Sequence, residues 1–515
     1  MKIVNSQQMR FLEEEAVKQF GLNTLSMMEK AGLGIADLVI RLSGKKKSKI
    51  TIIAGSGNNG GDGLVAARIL ADKVDRLDVC ILAAPEKLSH DSKINFDKLP
   101  KKVRFIQMDE LEGSLKDADL VVDAIFGTGL TREVLGDFLT AIELCNNSKG
   151  MKIAVDIPSG LSSDTGEVLG STFKADYTCT FGAPKRGLFL KSGYEFSGRL
   201  EVVDIGIPSS LIESLDSDME YIDLNLAASL IPKRRPNAHK GLFGHTLIIS
   251  GDSDRLGAGY LASLASLRCG AGLVSFAMPK SSYRHFDSRY PEIMPFIIED
   301  EERGFFVKSG IKKLEKELNK FSSIVVGPAI GTENETAEFI EELLNCVKVP
   351  LVLDADALNC IALRKLKPLK RDTAPKVLTP HPKEMARLVG ASTKDVQSDR
   401  VGIAAAFAKK FGVVLVLKGM HTIVATPEGN VYINSTGNPG MATAGTGDVL
   451  SGMIASFIAQ KLDVIEASIL GVYLHGLSGD LAASKKGEAA MIASDLLEEI
   501  PDAILSLTGS KISND

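Results

Sequence analysis

Paired or metal-binding cysteines are missing from this chain. Its six cysteines, Cys80, Cys145, Cys179, Cys269, Cys346 and Cys360, are scattered with no Cys-x-x-Cys spacing, and most lie in apolar or helical-looking surroundings. Reduced thiols are therefore expected, not a disulfide framework. None of the seven histidines falls in a His-Glu-x-x-His pattern, which argues against a zinc site. An excess of positive charge is also missing, since the formal net charge is −5, and a general nucleic-acid binder would need a basic face. No apolar run approaches the roughly 20 residues of a membrane span. The start, Met1 to Ser6, soon meets Glu13, Glu14 and Glu15, unlike a signal peptide, so a cytoplasmic protein is expected.

What is present is enough apolar sequence for more than one core. At 515 residues with 44% hydrophobic content, two domains or more are expected. The first half alternates apolar runs (Ile50–Ala54, Asp78–Leu82, Asp119–Ile125, Lys152–Asp156, Tyr177–Phe181, Leu200–Asp204) with stretches of helical length such as Leu64–Ala71 and Phe138–Cys145. Strands apolar throughout, separated by helices, predict a parallel sheet covered on both faces. Ahead of the first strand, Ser26-Met27-Met28-Glu29 has capping-box spacing and predicts a helix opening there and running through Ala36.

A break is expected near residues 206–240, where the basic, proline-punctuated stretch Ile231 to Asn237 suits neither helix nor central strand. The alternation then restarts with Thr246–Ser250, Leu273–Ala277, Ser323–Val326, Leu351–Asp354, Lys376–Leu378 and Val413–Leu417. Thr422–Thr426 and Asn430–Asn434, joined by Pro427-Glu428-Gly429, predict a hairpin. The expected architecture is two unlike α/β domains, residues 1–215 and 225–510.

Gly55-Ser56-Gly57-Asn58-Asn59-Gly60-Gly61-Asp62-Gly63 follows one strand and precedes a helix, in the context of a dinucleotide-binding turn. The next strand, however, ends Leu82-Ala83-Ala84-Pro85, without the acid that would hold a ribose. Asn58, Asn59 and Asp62 add polar oxygens that suit a hard cation, or a sugar and an amide. Two further strand ends carry an acid beside glycine or proline. These are Asp123, followed by the turn Gly127-Thr128-Gly129-Leu130-Thr131-Arg132-Glu133, and Asp156, followed by Pro158 and Ser159. Ligands of open α/β sheets sit outside the carboxyl edge, so Asn59, Asp123, Asp156 and Ser159 are expected to converge.

In the second half, Gly440 to Gly452 delivers Asp448 to the start of an apolar helix, Val449–Ala459. Backbone N–H groups of Gly445, Thr446 and Gly447 at that helix start would form an anion cradle. A carboxylate beside such a cradle suits deprotonation of a hydroxyl facing a held phosphoryl group.

Asn58 to Gly63, Phe126 to Leu130 and Val155 to Gly160 together resemble the signatures of the NAD(P)H-hydrate epimerase family, over roughly residues 1–215. The resemblance implies a Rossmann-like three-layer domain that interconverts R and S hydrates at C6 of the nicotinamide ring. It implies that Asn58, Asn59, Gly60, Gly61, Asp62 and Gly127 to Glu133 hold the hydrated dinucleotide. Asp156 would contact the damaged ring and serve catalysis, and Asn59, Asp123 and Ser159 would help bind potassium. Lys185 would be a phosphate partner.

His239 to His245, Gly251 to Tyr260, Gly327-Pro328-Ala329-Ile330-Gly331, Asp354 to Asn359, Leu378 to Glu384, Lys418 to Thr422 and Gly445 to Asp448 resemble, in order, the ADP-dependent NAD(P)H-hydrate dehydratase family. This implies a ribokinase-like three-layer domain over roughly residues 225–505. Ala258, Gly327, His381 and Asp448 would contact the hydrate. Lys418, Gly419, Met420, His421, Thr422 and Gly447 would contact the AMP part of the nucleotide. Asp448 would be the catalytic base, Asp356 would brace the site, and magnesium would accompany ADP. Ala329 departs from the glycine common in the family. The implied partners are the NADH and NADPH hydrates and ADP, with no nucleic acid and no membrane, in a homo-oligomer. A ribokinase-type small-molecule kinase using ATP, fused to a nucleotide-binding module, is the alternative.

Overall fold

The computed structural model describes residues 1–44, 48–366, 369 and 374–509, so the expected limit at residue 510 lies outside the described residues. The chain forms two compact units, Met1–Glu220 and Tyr221–Asp515. The stretch from Ile231 to Asn237, expected at the break, belongs to the second unit.

The first unit is built on β1 (Lys49–Ala54), β2 (Arg76–Ile81), β3 (Arg104–Ile106), β4 (Leu120–Ala124), β5 (Met151–Val155), β6 (Tyr177–Phe181) and β7 (Arg199–Val203), in spatial order β3-β2-β1-β4-β5-β6-β7. Every neighbouring pair is parallel. Side chains alternate across the pleat. Ile52, Val122 and Val155 pack toward Ala31, Ile35 and Leu64 on one face, and Ile53, Val121 and Ala154 toward Leu111, Ile142 and Cys145 on the other. Both faces are buried, which is why the strands read as continuous apolar runs. The order reverses between β1 and β4, and such a switch point opens a crevice at the carboxyl edge.

Two local expectations need correction. The second helix spans Thr24–Ser43, and its N-cap is Asn23, whose side chain accepts from the Leu25 amide at 2.8 Å. Ser26 already lies within the helix, beside the buried Met27 and Met28, so the earlier asparagine takes the capping position. The helix after β1 begins at Asn58, not Leu64, so the polar half of the glycine-rich motif forms its first turns.

The division between units falls inside β8 (Met219–Ile222). The second unit adds β9 (His245–Ile249), β10 (Leu273–Pro279), β11 (Ile293–Ile298), β12 (Ser323–Val326), β13 (Leu351–Leu353), β14 (Lys376–Leu378), β15 (Val414–Leu417), β16 (Ile423–Ala425) and β17 (Val431–Asn434). They run in the order β11-β10-β9-β12-β13-β14-β15-β16-β17, with β16 antiparallel to both neighbours as the hairpin predicts. Its switch point lies between β9 and β12. The helix Thr446–Ala459 is buried almost all round, packing Val449, Met453 and Phe457 with Ile248, Val325 and Val352 in one core. Apolar residues on every side are what a central helix requires.

Candidate functional sites

In the first unit the crevice gathers the ends of β1, β4 and β5. A Cβ on Gly55 would stand 2.0 Å from the Ile125 carbonyl oxygen, and one on Gly60 would stand 2.1 Å from that of Gly55. Only glycine lets these strand ends close up. Asn59 follows in the buried first turn, and its side chain borders Gly127, where a Cβ would lie 3.2 Å from Asn59 Oδ1. Asn58 faces outward and accepts from the Ser89 hydroxyl at 2.8 Å. Thr128 to Glu133 continue as a largely exposed loop above β4, tied down where Ser163 Oγ donates to the Thr128 carbonyl at 3.3 Å.

Asp123 and Ser159 do meet. Ser159 donates its backbone N–H (2.8 Å) and its hydroxyl (2.6 Å) to the two carboxylate oxygens of Asp123, and the Ile125 amide adds a third bond at 3.2 Å. Burial nevertheless pushes the Asp123 carboxyl up to about 6, against those three hydrogen bonds. Among the described residues no basic side chain offsets it, and the nearby Asn59 Nδ2 is buried without a hydrogen-bond partner. A buried, uncompensated carboxylate among asparagine, serine and carbonyl oxygens is a donor set that fits a hard monovalent cation.

Asp156 sits at the end of β5 with φ 64°, in the left-handed region that a non-glycine residue occupies only under constraint. Its Oδ1 accepts from Lys185 Nζ at 2.5 Å and from Thr180 Oγ1 and the Phe181 amide at 3.3 Å. Lys185 is 1% exposed, and its remaining bonds go to Thr180 Oγ1 and the Phe181 carbonyl. The expectation of Lys185 as a phosphate partner therefore fails. The ammonium is enclosed by its own loop and neutralises Asp156. The chain start fixes this loop, because Val4 donates to the Pro184 carbonyl and accepts from the Arg186 amide, both at 2.9 Å. Burial raises the Asp62 carboxyl well above its ordinary range, reinforced by Asp156 and Glu13 and opposed by Lys185. Burial thus favours the protonated form of Asp62 beside an Asp156 carboxylate salt-bridged to Lys185, which places a potential proton donor next to an acceptor oxygen. Glu13, shifted upward mainly by burial, was not singled out in the sequence.

In the second unit the first intrahelical bond of Thr446–Ala459 runs from the Val449 amide to the Gly445 carbonyl at 3.1 Å. The amides of Thr446, Gly447 and Asp448 are thereby left without an intrahelical acceptor. The cradle expected from the Gly445, Thr446 and Gly447 amides thereby extends to the Asp448 amide. Lys418 Nζ donates to Asp354 at 2.8 Å, and a Cβ on Gly447 would lie 3.1 Å from the same ammonium. Lysine, aspartate and helix start form one cluster. Burial alone would lower the Lys418 ammonium, but Asp354, Glu384 and Asp448 outweigh it and raise it. Asp448 is pushed up to about 7, first by burial, then by Asp354, with Lys418 opposing.

The other expected residues have visible structural tasks. His381 Nδ1 caps the helix Pro382–Val389, accepting from the Lys383 and Glu384 amides at 3.1 and 3.2 Å, while Glu384 returns the bond to the His381 amide. Nδ1 is therefore unprotonated, which agrees with a pKa lowered by burial. Asp356 accepts from the Gly331 amide at 3.1 Å, bracing the Gly327–Gly331 turn. Gly327 packs on Asp354, whose carbonyl oxygen would stand 1.9 Å from an added Cβ. Ala258 lies in the first turn of the helix Gly257–Arg268. Beyond β15, Thr422 Oγ1 donates to the Gly419 carbonyl at 3.0 Å, His421 has φ 50°, and Met420 is exposed.

Two residues here escaped the sequence reading. Arg400, 4% exposed, donates to the carbonyls of Met420 (a short bond) and Leu417 (3.4 Å), so it holds the Lys418–Thr422 turn from behind. His475, kept neutral by a pKa lowered to about 4 through burial, bonds the Thr446 carbonyl at 2.8 Å beneath the cradle. Both stand far from the motifs they support and carry no local pattern that reveals them.

Ala329 has φ 52° between Gly327 and Gly331, which are also left-handed. Relief of that strain by glycine is worth roughly 1–2 kcal/mol, offset by about 0.4–1 kcal/mol of unfolded-state entropy. Ala329→Gly is expected to stabilise the protein by about 0.5–1 kcal/mol in urea unfolding; a destabilised variant would show that the methyl makes a contact worth more than the strain.

A family model described as NAD(P)H-hydrate dehydratase matches residues 246–502, and one described as YjeF-related protein N-terminus matches residues 24–187. The chain is 39% identical to a bifunctional NAD(P)H-hydrate repair enzyme of Moorella thermoacetica, covering 98% of this chain and 97% of that one. It is 40% identical to the same-named enzyme of Thermofilum pendens, again covering 98% and 97%. A crystal structure of a ribokinase-like superfamily protein from Enterococcus faecalis superposes with a TM-score of 0.50 at 25% identity, over 57% of this chain and 98% of that one.

Proposed function

Since the chain belongs to the bifunctional NAD(P)H-hydrate repair enzyme family, we propose that its second unit dehydrates the S hydrate at the expense of ADP while its first unit supplies that S form from the R form. The observation that carries the reading is the Asp448 carboxyl, poised near neutrality at a helix start whose free amides adjoin Lys418.

Asp448 takes the proton from the C6 hydroxyl of the hydrated ring as that oxygen attacks the terminal phosphorus of ADP, and AMP departs. The amides of Thr446, Gly447 and Asp448, with Lys418, face the charge that develops on the transferring group. The resulting C6 phosphate leaves with electrons from the ring nitrogen, and loss of the C5 proton restores NAD(P)H. Asp354 holds Lys418 in place, Arg400 holds the turn that carries it, and Ala258, Gly327 and His381 border the hydrate. Among the described residues no cluster of three His, Cys, Asp or Glu side chains suits a metal ion. Magnesium would accompany the nucleotide phosphates, where it would neutralise their charge.

In the first unit, Asp156 and Asp62 form the proton-transfer pair at C6, and Asn58 to Asp62 with Gly127 to Glu133 embrace the dinucleotide. Asn59, Asp123 and Ser159 would hold potassium, which would supply positive charge to offset the buried Asp123 carboxylate. The test is a mixture of R and S hydrates with ADP, followed by nicotinamide absorbance. Complete recovery is expected. Recovery of the S fraction alone would overturn the epimerase reading, and turnover with ATP on an unrelated alcohol would favour a kinase.

A further inference from the structure

An open cleft of about 690 Å³ lies beyond the ends of β9 and β10, lined by Ser253, Lys280, Ser281, Tyr283, Arg284, Glu302, Arg303 and Gly304. The lining carries three cations and one carboxylate, and Asp254 and Asp300 accept hydrogen bonds from Ser253, Ser281 and Gly304 at its rim. Lys280 and Arg303 already touch Glu299 at 3.1 Å and Glu335 at 3.6 Å, whereas Arg284 forms no ion pair among the described residues, and its Nε donates to His285 Nε2 at 3.0 Å. Next to it Tyr283 is 45% exposed, its ring backed by Phe286 at 6.0 Å and 27°. An exposed aromatic face beside an unpaired guanidinium suits a purine ring carrying a phosphate. The rim is held by backbone constraint, with Glu301 and Glu302 consecutively left-handed (φ 51° and 59°), and with Gly304 so close that a Cβ would lie 2.9 Å from Ser253.

Position supplies the rest. Ser253 belongs to the loop that ends in the helix bearing Ala258. Along the sheet edge the order β10-β9-β12-β13 separates the cleft from Asp354 by three strand spacings, about 14 Å. Lys418, at the end of β15, lies on the opposite side of Asp354. A dinucleotide whose nicotinamide faces Asp448, laid away from the ADP, therefore runs along the sheet edge toward this cleft.

We propose that the cleft holds the adenosine end of the hydrated dinucleotide, with Arg284 and Lys280 receiving the 2′-phosphate that distinguishes the NADPH form. This rests on the dehydratase reading above. A lost charge-assisted contact to phosphate corresponds to about a ten- to hundredfold change in binding. In Arg284→Glu and Lys280→Glu enzymes, KM for the S hydrate of NADPH is expected to rise at least about tenfold with kcat unchanged, while KM for the NADH hydrate stays within about twofold. Adenosine 2′,5′-bisphosphate should compete with the NADPH hydrate in the unaltered enzyme, with an inhibition constant raised in Arg284→Glu. Equal effects on the two hydrates, or none on either, would overturn the proposal. Failure of the unaltered enzyme to dehydrate either hydrate would instead sink the functional reading. Both side chains are exposed, and an unchanged thermal unfolding curve excludes misfolding as the cause.

Discussion

Asp448→Asn is expected to lower the dehydratase kcat by about 10³-fold while leaving R-to-S conversion intact, because asparagine keeps the shape at the helix start but accepts no proton. Unaltered enzyme should lose activity as pH falls below about 7, where the Asp448 carboxyl becomes protonated. The same group leaves a mark on stability, and the sign follows from the direction of its shift. Its pKa in the folded protein is raised, so the neutral form favours folding. That contribution is present at low pH and is lost as pH rises through about 7. At pH 8 the folded protein therefore carries a partly desolvated charge that asparagine lacks. Asp448→Asn should be more stable than the unaltered chain by about 1–2 kcal/mol at pH 8, and the gap should shrink toward pH 5. Full-rate repair by a folded Asp448→Asn enzyme would defeat the mechanism, and a pH-independent stability difference would defeat the assignment of the buried charge.

Lys185→Met is expected to be the most damaging single change in the first unit. It strips the ammonium from the buried Asp156, and breaking one side of a buried ion pair costs about 3–5 kcal/mol. Denaturant unfolding should show this loss in the transition of the first unit, together with loss of R-to-S conversion. Asp156→Asn combined with Lys185→Met separates structure from chemistry. Asparagine tolerates the left-handed backbone at position 156, so the double variant should recover much of the stability yet stay inactive as an epimerase. Recovered activity would show that the pair serves packing alone.

The central strands were legible because burial on both faces leaves an uninterrupted apolar signature. Tyr177–Phe181 and Ser323–Val326 coincide with observed strands to the residue. The β3 strand was not legible, since it is three residues long at the sheet edge and buries only Ile106. The acids and glycine turns of both sites stood out by position at strand ends. Their supports did not. Lys185 lies 29 residues from Asp156, and Arg400 lies 20 residues from the Met420 carbonyl it holds. Such partners are set by how strands are ordered in space, which spacing along the chain does not encode. Where ion-pair geometry decides a residue's task, as for Lys185, motif matching alone assigned the wrong partner.

The Val4 bonds to the Pro184–Arg186 segment have a practical consequence. The opening pentapeptide works as a clasp on the loop that carries the Lys185 ammonium, so a vector that trims or replaces it would weaken epimerase assays. Recombinant material is therefore better purified through an affinity handle at the opposite end.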